Sequence, residues 1–167
     1  NLVWGPGYGA QLHDRTWWYA DAAKKRLAHY GSRGGYLGQV KLPKKYLAQG
    51  QYFQWADPIA LADGSVVLTS TTIDSPALLR LTPTKQLKTV SMTRYVHVVV
   101  SDGARLYGFD ARGMQVRVDP RTGRITSVTA FKGQGGRPFT LAAAPGHLLL
   151  TRPGVNLRFD LVDADHP

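Results

Sequence analysis

This sequence of 167 residues predicts an all-β fold, and three observations predict it. Apolar and polar residues alternate in short runs such as Gln115-Val116-Arg117-Val118, the period of a half-buried strand. Turn-forming clusters separate the runs: Asp102-Gly103, Asp110-Ala111-Arg112-Gly113 and Asp119-Pro120-Arg121-Thr122-Gly123. The same order of turn and strand then recurs. The turns after each first strand fall at Asp14, Asp63, Asp102 and Pro145, close to the roughly 40–50 residues of a four-stranded blade. Four-stranded antiparallel units that cannot bury both faces alone must stack on one another. The prediction is therefore a β-propeller of about four four-stranded antiparallel blades, as a closed small ring or as part of a larger one. A β-sandwich is the alternative, since short strands at regular spacing also describe it; the repeated register of the Asp-Gly turn favours the propeller.

The first unit covers about residues 5–42. Tyr8–Leu12 reads as a short strand, then TWWYADA as a run of strand formers, then RLAHYG, a Ser32–Gly35 turn and YLGQVKL. A helix over Tyr19–His29 competes here, because ADAAKKRLAH is rich in helix formers; alignment with the later units decides for strands. Residues 43–55 form a long inter-blade loop, and the stretch PKKYLAQGQYFQWAD holds Tyr46, Tyr52, Phe53 and Trp55. The second unit, 56–92, reads PIALA, Asp63-Gly64, SVVLTS, a TTIDSP turn, ALLRLT, a PTK turn and QLKTVSM. The third, 95–131, begins at YVHVVVS, runs through the alternating stretch above and ends at ITSVTAF. The fourth, 138–162, has PFTLAAA, Pro145-Gly146, HLLLT, Arg152-Pro153-Gly154 and VNLRFDLV, and lacks an outer strand of its own. Asn1–Trp4 is the candidate to supply that strand and so cover an otherwise exposed edge.

Length allows a single domain, 1–167, with a genuine core. No run of eighteen apolar residues exists, so no transmembrane helix is expected. The first residues, Asn1-Leu2-Val3-Trp4, carry neither a Met nor a signal-peptide pattern and read as a processed start. The expected location is secreted or periplasmic. With no Cys, disulfides and thiolate metal sites are excluded. The net charge of +10 favours acidic partners, and Lys24, Lys25, Arg26, Arg33, Lys41, Lys44 and Lys45 crowd the first third.

The stretches DGSVVLTSTTIDSPALLRLTPTKQLKTV and DGARLYGFDARGMQVRVDPRTGRITSV resemble blades of the NHL, gluconolactonase-like and streptogramin-lyase-like propellers. The shared pattern is an Asp-Gly turn, an apolar run, then an Arg-apolar strand and a Pro- and Gly-bearing turn. The likeness covers the second and third units well, the fourth partly and the first weakly. It implies blade architecture, which serves enzymes, binders and scaffolds alike.

Propeller geometry sorts the loops onto two faces. Loops between units and loops joining second to third strands share one face; the Asp-Gly turns and the third-to-fourth-strand turns share the other. The first face receives the 43–57 loop, Lys24-Lys25, Asp74, Met92-Thr93-Arg94, Asp110-Ala111-Arg112, Lys132–Arg137 and Arg152. Trp55, Arg94 and Arg137 hold nearly equivalent positions before their inner strands. An Arg ring with Tyr52 and Trp55 nearby suits a carboxylate, sulfate or phosphate group, because the guanidinium offers a planar fork and aromatic faces stack on rings. The ligand-binding candidates are Tyr52, Trp55, Arg94, Asp110, Arg112, Arg137 and Arg152.

Catalytic signals are weak. The five His residues form no HxH, HExxH or HxxxH pair, so no local metal motif exists. His97 falls on an inner strand near the channel, and His13 and His147 near the Asp-Gly face. The gluconolactonase-like resemblance implies a metal held by carboxylates at inner-strand ends, but only Asp57 sits at such a position; Gly9, Met92–Tyr95 and Arg137-Pro138 occupy the others. Glu is absent altogether, so the His-and-Glu set implied by the streptogramin-lyase resemblance is not matched. There is no GxSxG, and GQGGRPF and GPGYG lack the Lys-Ser/Thr of a phosphate loop. Charge and aromatics fit nucleic acid loosely, without any recognition motif. The expectation is a binding module without a cofactor, for a partner protein or an anionic glycan; a propeller enzyme of lyase or lactonase type is the alternative.

Overall fold

The computed structural model describes residues 9–21, 24–43, 58–69, 76–112 and 115–127, and the backbone of 139–144, 147–152 and 158–163. These residues form four antiparallel sheets and no helix, so none is long and apolar enough to cross a membrane. In the first sheet β1 (Gly9–Gln11), β2 (Trp17–Asp21), β3 (Arg26–Tyr30) and β4 (Tyr36–Lys41) lie side by side in chain order. The second repeats this with β5 (Ile59–Ala60), β6 (Val66–Thr69), β7 (Ala77–Leu81) and β8 (Leu87–Ser91). The third does so with β9 (Val96–Ser101), β10 (Leu106–Asp110), β11 (Gln115–Val118) and β12 (Ile125–Ser127). The fourth has β13 (Phe139–Ala144), β14 (His147–Arg152) and β15 (Arg158–Asp163). The first strands touch in series, β1 with β5, β5 with β9 and β9 with β13, as the innermost strands of propeller blades must. The β-propeller reading holds and the sandwich does not: four separate meanders follow one another instead of two sheets exchanging strands. Asn1–Trp4, the proposed outer strand of the fourth unit, lies outside the described residues.

The rival helix over Tyr19–His29 gives way to a hairpin. Trp17, Trp18 and Tyr19 favour a pleated surface, and Trp18 pairs across the hairpin with His29, the two rings stacked 4.2 Å apart. Asp21 closes it, accepting from the Lys24 N–H at 3.1 Å and from the Arg26 guanidinium at 2.9 Å.

The turns repeat in backbone detail. In the first-to-second-strand turns a left-handed residue stands at Arg15, Gly64 and Gly103, with φ of 63°, 78° and 95°. In the third-to-fourth-strand turns the same role falls to Gly34, Lys85 and Gly123. In the first three sheets the first turn also begins with an Asp that caps backbone N–H groups ahead of it. Asp14 accepts from Thr16 at 2.9 Å, Asp63 from Ser65 at 3.0 Å, and Asp102 from Ala104 and Arg105 at 2.9 and 2.7 Å. An Asx turn needs a short carboxylate or amide, which is why Asp recurs there.

Two apolar clusters hold the sheets together. One joins the first and second through Trp18, Leu27, Val66, Leu68, Leu79 and Leu81. The other joins the second and third through Val67, Leu78, Val96, Val98, Leu106 and Val116. The second sheet is thus buried on both faces, which explains why Val66-Val67-Leu68 and Leu78-Leu79 do not alternate in polarity. Stacking is reinforced by a backbone bond between the second and third sheets, from the Ala62 N–H to the Gly103 carbonyl at 2.8 Å.

Candidate functional site

Three of the predicted binding residues meet at one end of the third sheet. Val96, first residue of β9, pairs with Asp110, last residue of β10. Arg94, two residues ahead of β9, is thereby carried to Asp110, and its Nε lies 3.6 Å from Asp110 Oδ2. The other carboxylate oxygen accepts the backbone N–H of Arg112 at 3.0 Å, which shapes the turn after β10. The Asp110 side chain is only 7% exposed, whereas Arg94 remains 48% exposed and Arg112 is exposed too. A nearly buried carboxylate thus pairs with the Arg94 guanidinium and shapes the turn that carries Arg112, and both arginine side chains are exposed. On the adjoining innermost strand His97 is exposed between the buried Val96 and Val98, and it pairs with Phe109. Burial pushes the phenol of the neighbouring Tyr95 up from its ordinary range.

The remaining predicted residues distribute differently. Arg152 ends β14 as Asp110 ends β10, so the two hold equivalent ends of second strands in adjacent sheets. Lys24 and Lys25 stand in the β2–β3 turn, at the corresponding end of the first sheet. Tyr52, Trp55, Asp74, Arg137 and the 132–137 segment lie outside the described residues. Among the described residues this end of the third sheet therefore holds Arg94 paired with Asp110 and Arg112 in the turn that Asp110 caps, with basic residues at the same strand ends of the first and fourth sheets.

Asp110, a ligand-binding candidate in the sequence, lies nearly buried in the structure, where it pairs with Arg94 and caps the turn of Arg112. A second basic region, absent from the sequence-derived candidates, lies on the opposite face. There Arg105, Arg117, Arg121 and Arg124 line a cleft of about 700 Å³ together with Asp63 and Asp119. The signal was present in the alternation of Arg through VRVDPRTGR, but only the stacking of the third sheet on the second makes a cleft of it.

Among the described residues no three His or Asp side chains converge in a way that would hold a metal ion. The physical reason is visible in the turns: Asp14, Asp63, Asp102 and Asp119 each spend a carboxylate oxygen on backbone N–H groups. Turn hydrogen bonds hold the Asp14 and Asp119 carboxyls below the usual carboxylate range. Asp63 is also lowered: burial pushes it upward, and its bonds to Ser65 and Arg80 outweigh that.

Over residues 1–167 the sequence matches a family model described as a domain of unknown function, DUF7485. The chain belongs to that family. No curated protein matches this sequence. Among solved structures, a streptogramin B lyase shares the fold with a TM-score of 0.60 at 12% identity, over 95% of this chain and 54% of the lyase. A catalytically inactive virginiamycin B lyase from Staphylococcus aureus, solved with quinupristin, gives 0.63 at 13%, over 100% and 58%. A chain of a nidogen/laminin complex gives 0.58 at 15%, over 95% and 62%. At such identities the likeness is one of fold, and it agrees with the four-stranded sheets in series. The chain of this DUF7485 member spans a little over half the length of the lyases it resembles.

Proposed function

We propose that this propeller is a binding module whose basic and aromatic loop face takes an anionic partner, an acidic stretch of a partner protein or an acidic glycan. The observation that carries the reading is a nearly buried Asp110 that pairs with the Arg94 guanidinium and caps the turn bearing the exposed Arg112. An anchored guanidinium loses less freedom on binding than one on an unsupported stem, and its fork suits carboxylate and sulfate groups. The overall charge of +10 adds long-range attraction for such a partner. Arg152, Arg137, Trp55 and Tyr52 extend the same face in this reading. A structural neighbour held in a nidogen/laminin complex lends weight to a protein partner, and a secreted or periplasmic location belongs to the same proposal.

The test uses two immobilised probes, an acidic peptide and heparin, with the native chain and Arg94→Ala/Arg112→Ala. Two exposed charge contacts of about 0.7 kcal/mol each correspond to a loss of about tenfold in affinity, and binding weakens with salt. Loss on the peptide alone marks a protein partner, and loss on heparin alone marks a glycan. No binding by the native chain, or unchanged binding by the variant, overturns the proposal.

A lyase-type enzyme is the second reading, favoured by the two lyase neighbours and by the exposed His97 on the innermost strand. Turnover of quinupristin that disappears in His97→Ala would establish it. Absence of turnover removes it.

A further inference from the structure

We infer that the cleft between the second and third sheets, on the face opposite the Arg94–Arg112 rim, is a second binding site, built for a small ligand bearing a tetrahedral oxyanion. Its volume of about 700 Å³ falls within the range of sites for small organic molecules. Its wall is held from both sides. The Ala62 N–H donates to the Gly103 carbonyl across the sheets at 2.8 Å, and the Gly64 N–H closes its own turn on the Leu61 carbonyl at 3.0 Å. On the far side the Gly123 N–H donates to the Asp119 carbonyl at 2.9 Å. A Cβ on Gly123 would meet the Ser91 carbonyl oxygen at 2.2 Å, so this turn lies flat against the second sheet.

The electrostatics favour an anion. Four arginines, Arg105, Arg117, Arg121 and Arg124, line the cleft against two carboxylates, so the lining carries a net positive charge. Neither carboxylate is idle. Asp119 accepts the Arg121 and Thr122 N–H groups at 2.7 and 3.3 Å, which fixes it in its turn. Asp63 is bound by the Ser65 N–H and by the guanidinium of Arg80. Arg121 reaches Asp63 only at 4.0 Å, with 73% of its side chain exposed. Such a long, solvated ion pair contributes little, and Asp63 keeps Arg80 when Arg121 leaves. Arg121 is therefore the group that swings from Asp63 to an incoming oxyanion, joined by Arg124 from the same turn. Leu61 and Pro120 supply apolar wall for the body of the ligand.

The experiment titrates the native chain with glucose 6-phosphate, glucose 6-sulfate and glucose, followed by calorimetry or amide chemical shifts. The charged sugars bind and glucose does not; a phosphate dianion binding more tightly than the sulfate identifies the phosphate ester as the preferred source of the oxyanion, and the reverse order identifies the sulfate ester. Arg121→Ala/Arg124→Ala, which changes two exposed side chains and leaves the melting temperature in place, weakens binding about tenfold. Asp63→Asn keeps the turn-capping oxygen, removes the competitor for Arg121 and tightens binding two- to fivefold. Arg94→Ala/Arg112→Ala leaves it unchanged, which separates this site from the rim. The inference is overturned if neither charged sugar binds better than glucose, if Arg121→Ala/Arg124→Ala binds like the native chain, or if the rim variant weakens binding equally.

Discussion

His29 is the residue whose environment most contradicts its chemistry. It is 8% exposed, lies face to face with Trp18 at an interplanar angle of 4°, and neither ring nitrogen meets a hydrogen-bond partner among the described residues. Burial lowers its pKa from the ordinary 6.5; Lys85 lowers it further, and Asp14 opposes with a smaller effect. The folded chain therefore holds His29 neutral. Below about pH 6.5 the unfolded state takes up a proton that the folded state resists, so stability is full above that pH and falls as pH drops through the folded value. Asp14, Asp63 and Asp119 push in the same direction, but their folded values lie below 3.8, and their contribution is lost only in much stronger acid. Thermal unfolding between pH 7.5 and 5.5 thus separates His29 from these carboxylates, and comparison with a His29 variant separates it from the other histidines. The native melting temperature falls across that range, and His29→Phe, which keeps the stack and cannot titrate, flattens the profile. An equal slope in both proteins would show that His29 is not the cause.

In the second and third sheets an Asp-Gly turn and the strand that follows it form one structural unit. In the third sheet Asp102 caps the turn with Oδ1 and accepts the Tyr107 hydroxyl on Oδ2 at 2.9 Å. Tyr107 is wholly buried; that burial, together with the hydrogen bond and the charge of Asp102, pushes its phenol up to about 12. Tyr107→Phe leaves the Asp102 oxygen without its buried donor and lowers stability by about 1–1.5 kcal/mol in urea unfolding. A change below about 0.3 kcal/mol would mean that the other groups around the turn satisfy that carboxylate. The turns and strands were legible because Asp-Gly chemistry and polar–apolar alternation are local. The Tyr107–Asp102 bond was not, since an alternating pattern marks an inward side chain without naming its partner. Gly123 reads from sequence as a turn residue, and its φ of 72° agrees. Its approach to Ser91 belongs to the stacking of sheets and leaves no local mark. The same limit governs the candidate site: Arg94 and Arg112 can be placed on one face by counting strands, but the burial of the Asp110 carboxylate that pairs with Arg94 leaves no local mark.

Across the molecule, the first three sheets pack on one another through two clusters that divide cleanly among the described residues. Leu79 belongs to the cluster shared by the first and second sheets, and its chain neighbour Leu78 to the one shared by the second and third. Adjacent residues of one strand point to opposite faces, so β7 contributes to two interfaces at once. Such an array behaves as a sum of sheet stabilities and nearest-neighbour terms. Both leucines are fully buried, and truncating either to Ala costs about 2–5 kcal/mol. The two losses differ in where they fall. In amide hydrogen exchange under native conditions, Leu78→Ala lowers protection in the second and third sheets most, with β9 and β10 ahead of β2 and β3. Leu79→Ala reverses the order, loosening β2 and β3 before β9 and β10. Identical exchange patterns in the two variants would mean that the described sheets open as one cooperative unit, and the nearest-neighbour account would fall. Opposite patterns would also explain how the rim at the end of the third sheet and the cleft between the second and third can be perturbed separately: the rim draws its geometry from within one sheet, and the cleft from the interface that Leu78 holds closed.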